Sequence, residues 1–185
     1  MQLINTKKAL QRFAKHVVSQ SRANLTRAKK NRGKLYSSLE GKVKVSPNSF
    51  SLKLLMEDYG AYQDEGVRGK DPSKVSPNAK IRGQQAPSSR FKFGSGKVGR
   101  YADFVSSIKK WAQTRNIRLR DKKGKFTKGN YTTIAHIIAG NIYNRGIKPS
   151  LFFTKPFRSA FKNLPEELIE AYGLDIDEFL KFTTK

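Results

Sequence analysis

Apolar residues recur at helical spacing near the start of the chain. Leu10, Phe13, Ala14, Val17 and Val18, with Leu25 further on, form one stripe, while Lys7, Lys8, Arg12, Lys15, Arg22 and Arg27 lie mostly off it. The pattern predicts an amphipathic helix over residues 7–31, ended at Asn31-Arg32-Gly33 by the preference for glycine just past a helix C-terminus. The period then drops to two. Val43 and Val45 alternate with Lys42 and Lys44, Pro47-Asn48 turns the chain, and Phe50, Leu52 and Leu54 alternate with Ser and Lys, which predicts a β-hairpin within residues 34–56. Residues 57–67 are acidic and aromatic, with Tyr59 and Tyr62 three apart, and read as a short helix or turn closing on Gly66.

From Arg68 to Arg100 the apolar pattern fails: five glycines, three prolines and seven internal Lys or Arg leave too few aliphatics for a core, so this stretch is expected to be a long loop or arm. Phe104, Val105, Ile108, Trp111 and Ala112 then mark a helix face over 101–115, with Trp111 expected in the core. A basic hairpin or loop follows, turning at Lys123-Gly124-Lys125. Ile134, Ile137, Ile138 and Ile142 define a helix over 131–145, capped by Asn130 and stopped at Gly146. Leu151, Phe152, Phe153, Phe157 and Phe161 form the densest aromatic cluster, with Thr154 as a cap and Pro156 in the first helical turn. Residues 163–185 read as one or two short helices, the second capped by Asp175. The expected class is α+β: a long N-terminal helix, an antiparallel β-hairpin or small sheet, two or three further helices and long basic loop arms. Residues 1–162 form the main domain, with the arm at about 68–100, and 163–185 an acidic helical extension.

Charge changes the picture. The 185 residues hold 38 Lys plus Arg against 14 Asp plus Glu, a formal net charge of +24, which points to a polyanionic partner. Residues 1–162 contain 36 of the bases and 8 acids, residues 163–185 only 2 bases and 6 acids. From Arg115 to Lys128 there are seven bases and one acid, so Arg115, Arg118, Arg120, Lys122, Lys123, Lys125 and Lys128 are the candidate residues for DNA or an acidic partner. Bases on loops with few interleaved aromatics suit phosphate contact without base reading. No apolar run approaches the length of a membrane span, and no leader pattern is visible at the start, so the chain is expected to be soluble, without a secretion signal or a membrane partner.

Catalytic chemistry finds little purchase. Zero cysteines and only two histidines, His16 and His136, remove thiol catalysis and Cys- or His-rich metal sites. Glu57, Asp58, Asp64 and Glu65 have the spacing to share a divalent metal of the nuclease kind, but in a chain this basic salt-bridging is the preferred reading. Gly94-Ser95-Gly96-Lys97 lacks the full phosphate-loop spacing. Neither an enzymatic activity nor a cofactor, metal or catalytic residue is expected.

Two segments, Asp58-Tyr-Gly-Ala-Tyr-Gln-Asp-Glu-Gly-Val-Arg-Gly69 and Arg145-Gly-Ile-Lys-Pro-Ser-Leu-Phe-Phe-Thr-Lys-Pro-Phe157, resemble the neck or tail-completion family of tailed bacteriophages, the head–tail connectors. The order of helix, hairpin, aromatic-glycine turn, helix and Pro-Phe-Phe segment is similar over about residues 5–162. The resemblance implies a small α+β virion subunit in a homo-oligomeric ring around the DNA exit channel, contacting portal and tail proteins and passing double-stranded DNA without sequence specificity. It also implies assembly in the host cytoplasm, an assembly-surface turn at Tyr59, Tyr62, Asp64, Glu65, Gly66 and Arg68, and core or ring packing by Phe152, Phe153 and Phe157, with core packing preferred. The alternative is a free, non-sequence-specific nucleic-acid-binding protein.

Overall fold

The computed structural model describes residues 3–31, 33–46, 49–96, 100–120, 123–126 and 130–183, so Arg32 and the Pro47-Asn48 turn lie outside the described residues. Among these the fold is α+β, with helices α1 (Ile4–Arg27), α2 (Lys34–Ser38), α3 (Tyr59–Glu65), α4 (Tyr101–Thr114), α5 (Tyr131–Arg145), α6 (Thr154–Phe161) and α7 (Leu164–Thr183). The strands are β1 (Glu40–Ser46), β2 (Ser49–Leu55), β3 (Val67–Arg68) and β4 (Gly146–Ile147), in two antiparallel pairs, β1–β2 and β3–β4. The chain forms two compact units, Met1–Gly60 with Leu151–Lys185, and Ala61–Ser150.

In the first unit α1 is shifted toward the N-terminus relative to its sequence pattern, for reasons visible at both ends. Leu3, at the cap position, offers no side-chain acceptor. The Asp175 carboxylate of α7 replaces it, accepting the Asn5 N–H at 2.8 Å, the Thr6 N–H at 2.9 Å and the Thr6 hydroxyl at 2.8 Å. At the other end Lys29 adopts a left-handed φ of 56°, and the Lys30 and Lys29 N–H groups donate to the Leu25 and Thr26 carbonyls at 2.8 and 2.9 Å. This two-bond helix ending usually carries glycine, and here a lysine closes α1 before Gly33 is reached. The next residues form α2 rather than strand.

The hairpin keeps its expected alternation, with Val43 opposite Leu52 and Val45 opposite Phe50. Gly41 lets β1 press onto α1, because a Cβ there would stand 2.7 Å from that of Ala14. Phe152 is buried with Leu25, Leu35 and Leu39, while Phe153 and Phe157 pack with Leu52 and Leu54 on Phe13, Val17 and Leu164. Phe157 meets Phe13 edge-on at 5.8 Å and stacks between Phe153 and Phe161. The aromatic trio therefore packs in the core of this unit. Thr154 is the first helical residue of α6; the cap position is Phe153 and has no side-chain cap bond.

The segment after Asn163 forms one continuous helix, Leu164–Thr183, that runs through Gly173, not two short ones, and Asp175 caps α1 instead of its own helix. Leu164, Ala171 and Asp175 are buried in the same unit as α1, so the acidic segment is part of the fold and not an appendage to it.

In the second unit α5 matches its prediction. Asn130 Oδ1 accepts the Thr133 N–H at 2.7 Å, and Gly146 ends the helix with φ 91°, where a side chain would collide with the Val67 carbonyl. The α4–α5 contact buries Val105 against Ala135 and Ala139, with Phe104 and Ile108 beside them. The small alanines, not Ile137, face the partner helix; Ile137 is exposed. Trp111 is also a correction: it lies at the margin of the Val105–Ala112 stripe and is 46% exposed.

Beyond β3 the stretch to residue 96 is loop apart from one short 3-10 turn, Pro72–Lys74, yet it is tied down at several points. Arg68 exchanges backbone bonds with Phe91 and Phe93, the Lys70 N–H donates to the Tyr143 carbonyl, Gln85 to that of Arg145, and the Gly69 N–H to Gln84 Oε1 at 2.6 Å. Val75, Ala86 and Phe93 are buried. Backbone and amide hydrogen bonds do here what aliphatic packing does in the first unit.

Candidate polyanion interface

The basic segment begins where α4 stops. Asn116 takes a left-handed φ of 49°, and the Ile117 and Asn116 N–H groups donate to the Ala112 and Gln113 carbonyls at 2.9 and 3.0 Å. The Asn116 side chain, well suited to that conformation, then holds the emerging loop. Its Oδ1 accepts the Arg118 Nε–H at 3.2 Å and the Tyr131 hydroxyl at 3.1 Å.

Beyond it, Arg120 and Phe126 pair as an isolated antiparallel bridge. The Arg120 guanidinium stacks 4.2 Å from the Phe126 ring centroid and donates to the Gly124 carbonyl at 3.0 Å. Gly124, with φ 81°, provides the turn. Phe126 is 60% exposed and so acts as a platform for Arg120, not as core. Arg115, Arg118, Arg120, Lys123 and Lys125 are all exposed, while Lys122 and Lys128 lie outside the described residues.

The 58–68 turn is placed differently. Tyr59 is exposed, with its hydroxyl accepting the Leu35 N–H at 2.8 Å. Tyr62 packs edge-on against Phe91 at 4.4 Å, Asp64 is buried, and Glu65 pairs with Arg90 at 2.8 Å. Gly66, with φ 73°, is buried, its carbonyl accepts the Ser89 hydroxyl at 2.7 Å, and a Cβ there would stand 2.5 Å from the Ile147 carbonyl oxygen. Arg68, half-buried, anchors the 91–93 backbone. Of these residues Asp64 and Gly66 are buried in the second unit, Tyr62, Glu65 and Arg68 are half-buried, and Tyr59 is exposed.

Among the described residues no three His, Asp or Glu side chains gather as metal ligands, and no helix is long and apolar enough to cross a membrane. Glu57, Asp58, Asp64 and Glu65 do not form a metal cluster. His16 and His136 are exposed on separate helices.

No known protein family, curated protein or solved structure matches the chain. The neck-family resemblance of residues 58–69 and 145–157 thus stands on those residues alone.

Two surfaces escaped the sequence reading. On α1, Lys8, Arg12, Lys15 and His16 line one wall of an open groove of about 1170 Å³, with Glu167 and Glu170 of α7 also lining it. The α1 helical pattern carried the signal for that basic wall. On α7, large apolar residues occupy two stripes, whereas one suffices to cover α1; the surplus was countable in the sequence.

Proposed function

We propose that the chain is a non-enzymatic structural subunit of a tailed-phage neck, a ring component around the DNA exit channel between portal-side and tail-side proteins. The observation that supports it best is the loop 115–126, whose five described bases are exposed on a segment braced by Asn116 and by the Arg120–Phe126 stack. Its position is held by the protein while its cations face outward. With 38 bases and 14 acids, at least 24 cations have no carboxylate of their own chain to neutralise them one to one. Braced cations without a base-reading helix neutralise phosphates and leave the duplex free to slide.

The test is antibody-gold labelling of purified particles of the source phage, imaged by electron microscopy. Label at the head–tail junction is the expected result. Absence from intact and mildly opened particles would overturn the neck reading and favour a free nucleic-acid-binding protein, which the charge excess equally supports.

A further inference from the structure

Helix α7 has three faces. Leu164, Leu168, Ala171 and Asp175 turn inward, with Leu168 packed on the Phe13–Val17 cluster. Rotated by about 100° at 3.6 residues per turn, Ile169, Tyr172, Ile176, Phe179 and Leu180 form a second apolar stripe at the spacing of a helix–helix seam. Ile169 is 74% exposed, and Tyr172, Phe179 and Leu180 are exposed too. One step further round lie Glu166, Glu170 and Asp177, all exposed. Side chains of this size offer about 150–250 Å² each, so roughly 500 Å² of apolar surface faces outward per chain, and docking it buries about 1,000 Å² in total, the lower bound of a specific interface.

A matching surface exists in the same unit. Along the other side of α1, where β1 begins, runs an open groove of about 810 Å³ whose floor includes Ala14, Val18 and Leu39 and whose rim carries Lys15, Arg22 and Arg27 against the single carboxylate of Glu40. The apolar floor suits the apolar stripe of a docking helix, and the basic rim suits an acidic one. The groove between α1 and α7 is the poorer receptor, because two carboxylates, Glu167 and Glu170, line it against one in the α1–β1 groove.

We propose that the apolar stripe of α7 in one copy docks into the α1–β1 groove of a second copy, with Glu166, Glu170 and Asp177 beside the Lys15 and Arg27 rim. The two surfaces differ, so the contact is head-to-tail: each copy offers both halves, and the series closes into a ring or continues as a filament. The contact needs neither virion nor DNA; only its closure into a ring rests on the neck reading.

Sedimentation velocity of the full chain over a concentration series tests it. The parent chain should associate, and Ile169→Glu with Leu180→Glu in one variant, or Lys15→Glu with Arg27→Glu in another, should each weaken self-association by about tenfold or more. Mixed one to one, the two variants should form a heterodimer that grows no further, since each keeps one intact half. Circular dichroism checks the fold, and Ile169→Ser paired with Ser19→Trp replaces any charge variant that unfolds. A parent chain that stays monomeric, a groove variant that associates like the parent, or a mixture that stays monomeric would each overturn the proposal. A groove variant that still associates would point to α7 pairing with itself, and a monomeric parent to a different protein on the stripe. None of these results bears on labelling of the virion, so the two readings fail separately.

Discussion

The first unit holds 18 bases against 9 acids and packs a row of aromatics, two of them buried, whereas the second holds 20 against 5 with few large apolar residues inside. In the first, Phe13, Phe152, Phe153 and Phe157 close the helices onto the hairpin, and the acids of α7 lie across a groove from the bases of α1. In the second, the β3–β4 pair, the Gly66 turn and the ladder from Arg68 to Phe93 hold a glycine-rich loop. The lesson is a division of surfaces: the first unit has apolar area to offer a protein, and the second has positive charge to offer a polyanion.

Three substitutions sharpen this comparison, the largest effect first. Phe152→Ala should destabilise the first unit by about 3–5 kcal/mol through the cavity left among Leu25, Leu35 and Leu39. Hydrogen exchange should show lost protection in α1 and α2; unchanged exchange there would contradict aromatic closure. Gly66→Ala should cost about 2–3 kcal/mol in the second unit, because the left-handed backbone and the nearby Ile147 carbonyl both oppose a side chain. Its effect should appear in denaturant unfolding followed at the β3–β4 pair.

Asp175→Ala should cost about 1–2 kcal/mol by leaving the Asn5 and Thr6 N–H groups of α1 without their acceptor. Burial raises the Asp175 pKa, but the backbone and side-chain hydrogen bonds from Thr6 and Asn5 outweigh it and hold the carboxyl below its ordinary value. A lowered folded-state pKa means that the stabilisation is fully present above the unfolded value of about 3.9 and is lost as pH falls through the folded one. The stability difference between parent and variant should therefore stay constant from neutral pH to about pH 4 and shrink below it. A difference that grows on acidification would contradict the capping role.

Much of this fold was legible because local signals and tertiary packing agree. Asn130 and Gly146 bracket α5, the Val43–Leu52 alternation sets the hairpin, and Gly66 closes its turn. The misses share a physical cause, namely groups satisfied by residues far away in sequence. Asp175 resembles a local cap but reaches across to α1. Trp111 and Ile137 fit helical periodicity, yet Ala112, Ala135 and Ala139 allow the close approach and leave the larger side chains at the margin. The 68–96 loop has the composition of a free arm, but its backbone partners, such as Tyr143 and Arg145, are supplied by α5. Of the candidate interface, its charge and its turn at Gly124 were readable; the stacking of Arg120 on Phe126 and the bracing by Asn116 were not, since both depend on side-chain geometry.

The division of surfaces is tested most directly by measuring the affinity of the full chain for a DNA duplex as a function of salt, with two variants of equal charge loss. One replaces Arg115, Arg118 and Arg120 of the second unit by Ala, and the other replaces Lys8, Arg12 and Lys15 of the first. Each lost phosphate contact should lower the log–log salt slope by about 0.9, so the first variant should lose about 2 to 3 from the slope while the second keeps the parent value. Equal losses in both, or a loss confined to the α1 variant, would contradict the assignment of the polyanion surface to the second unit.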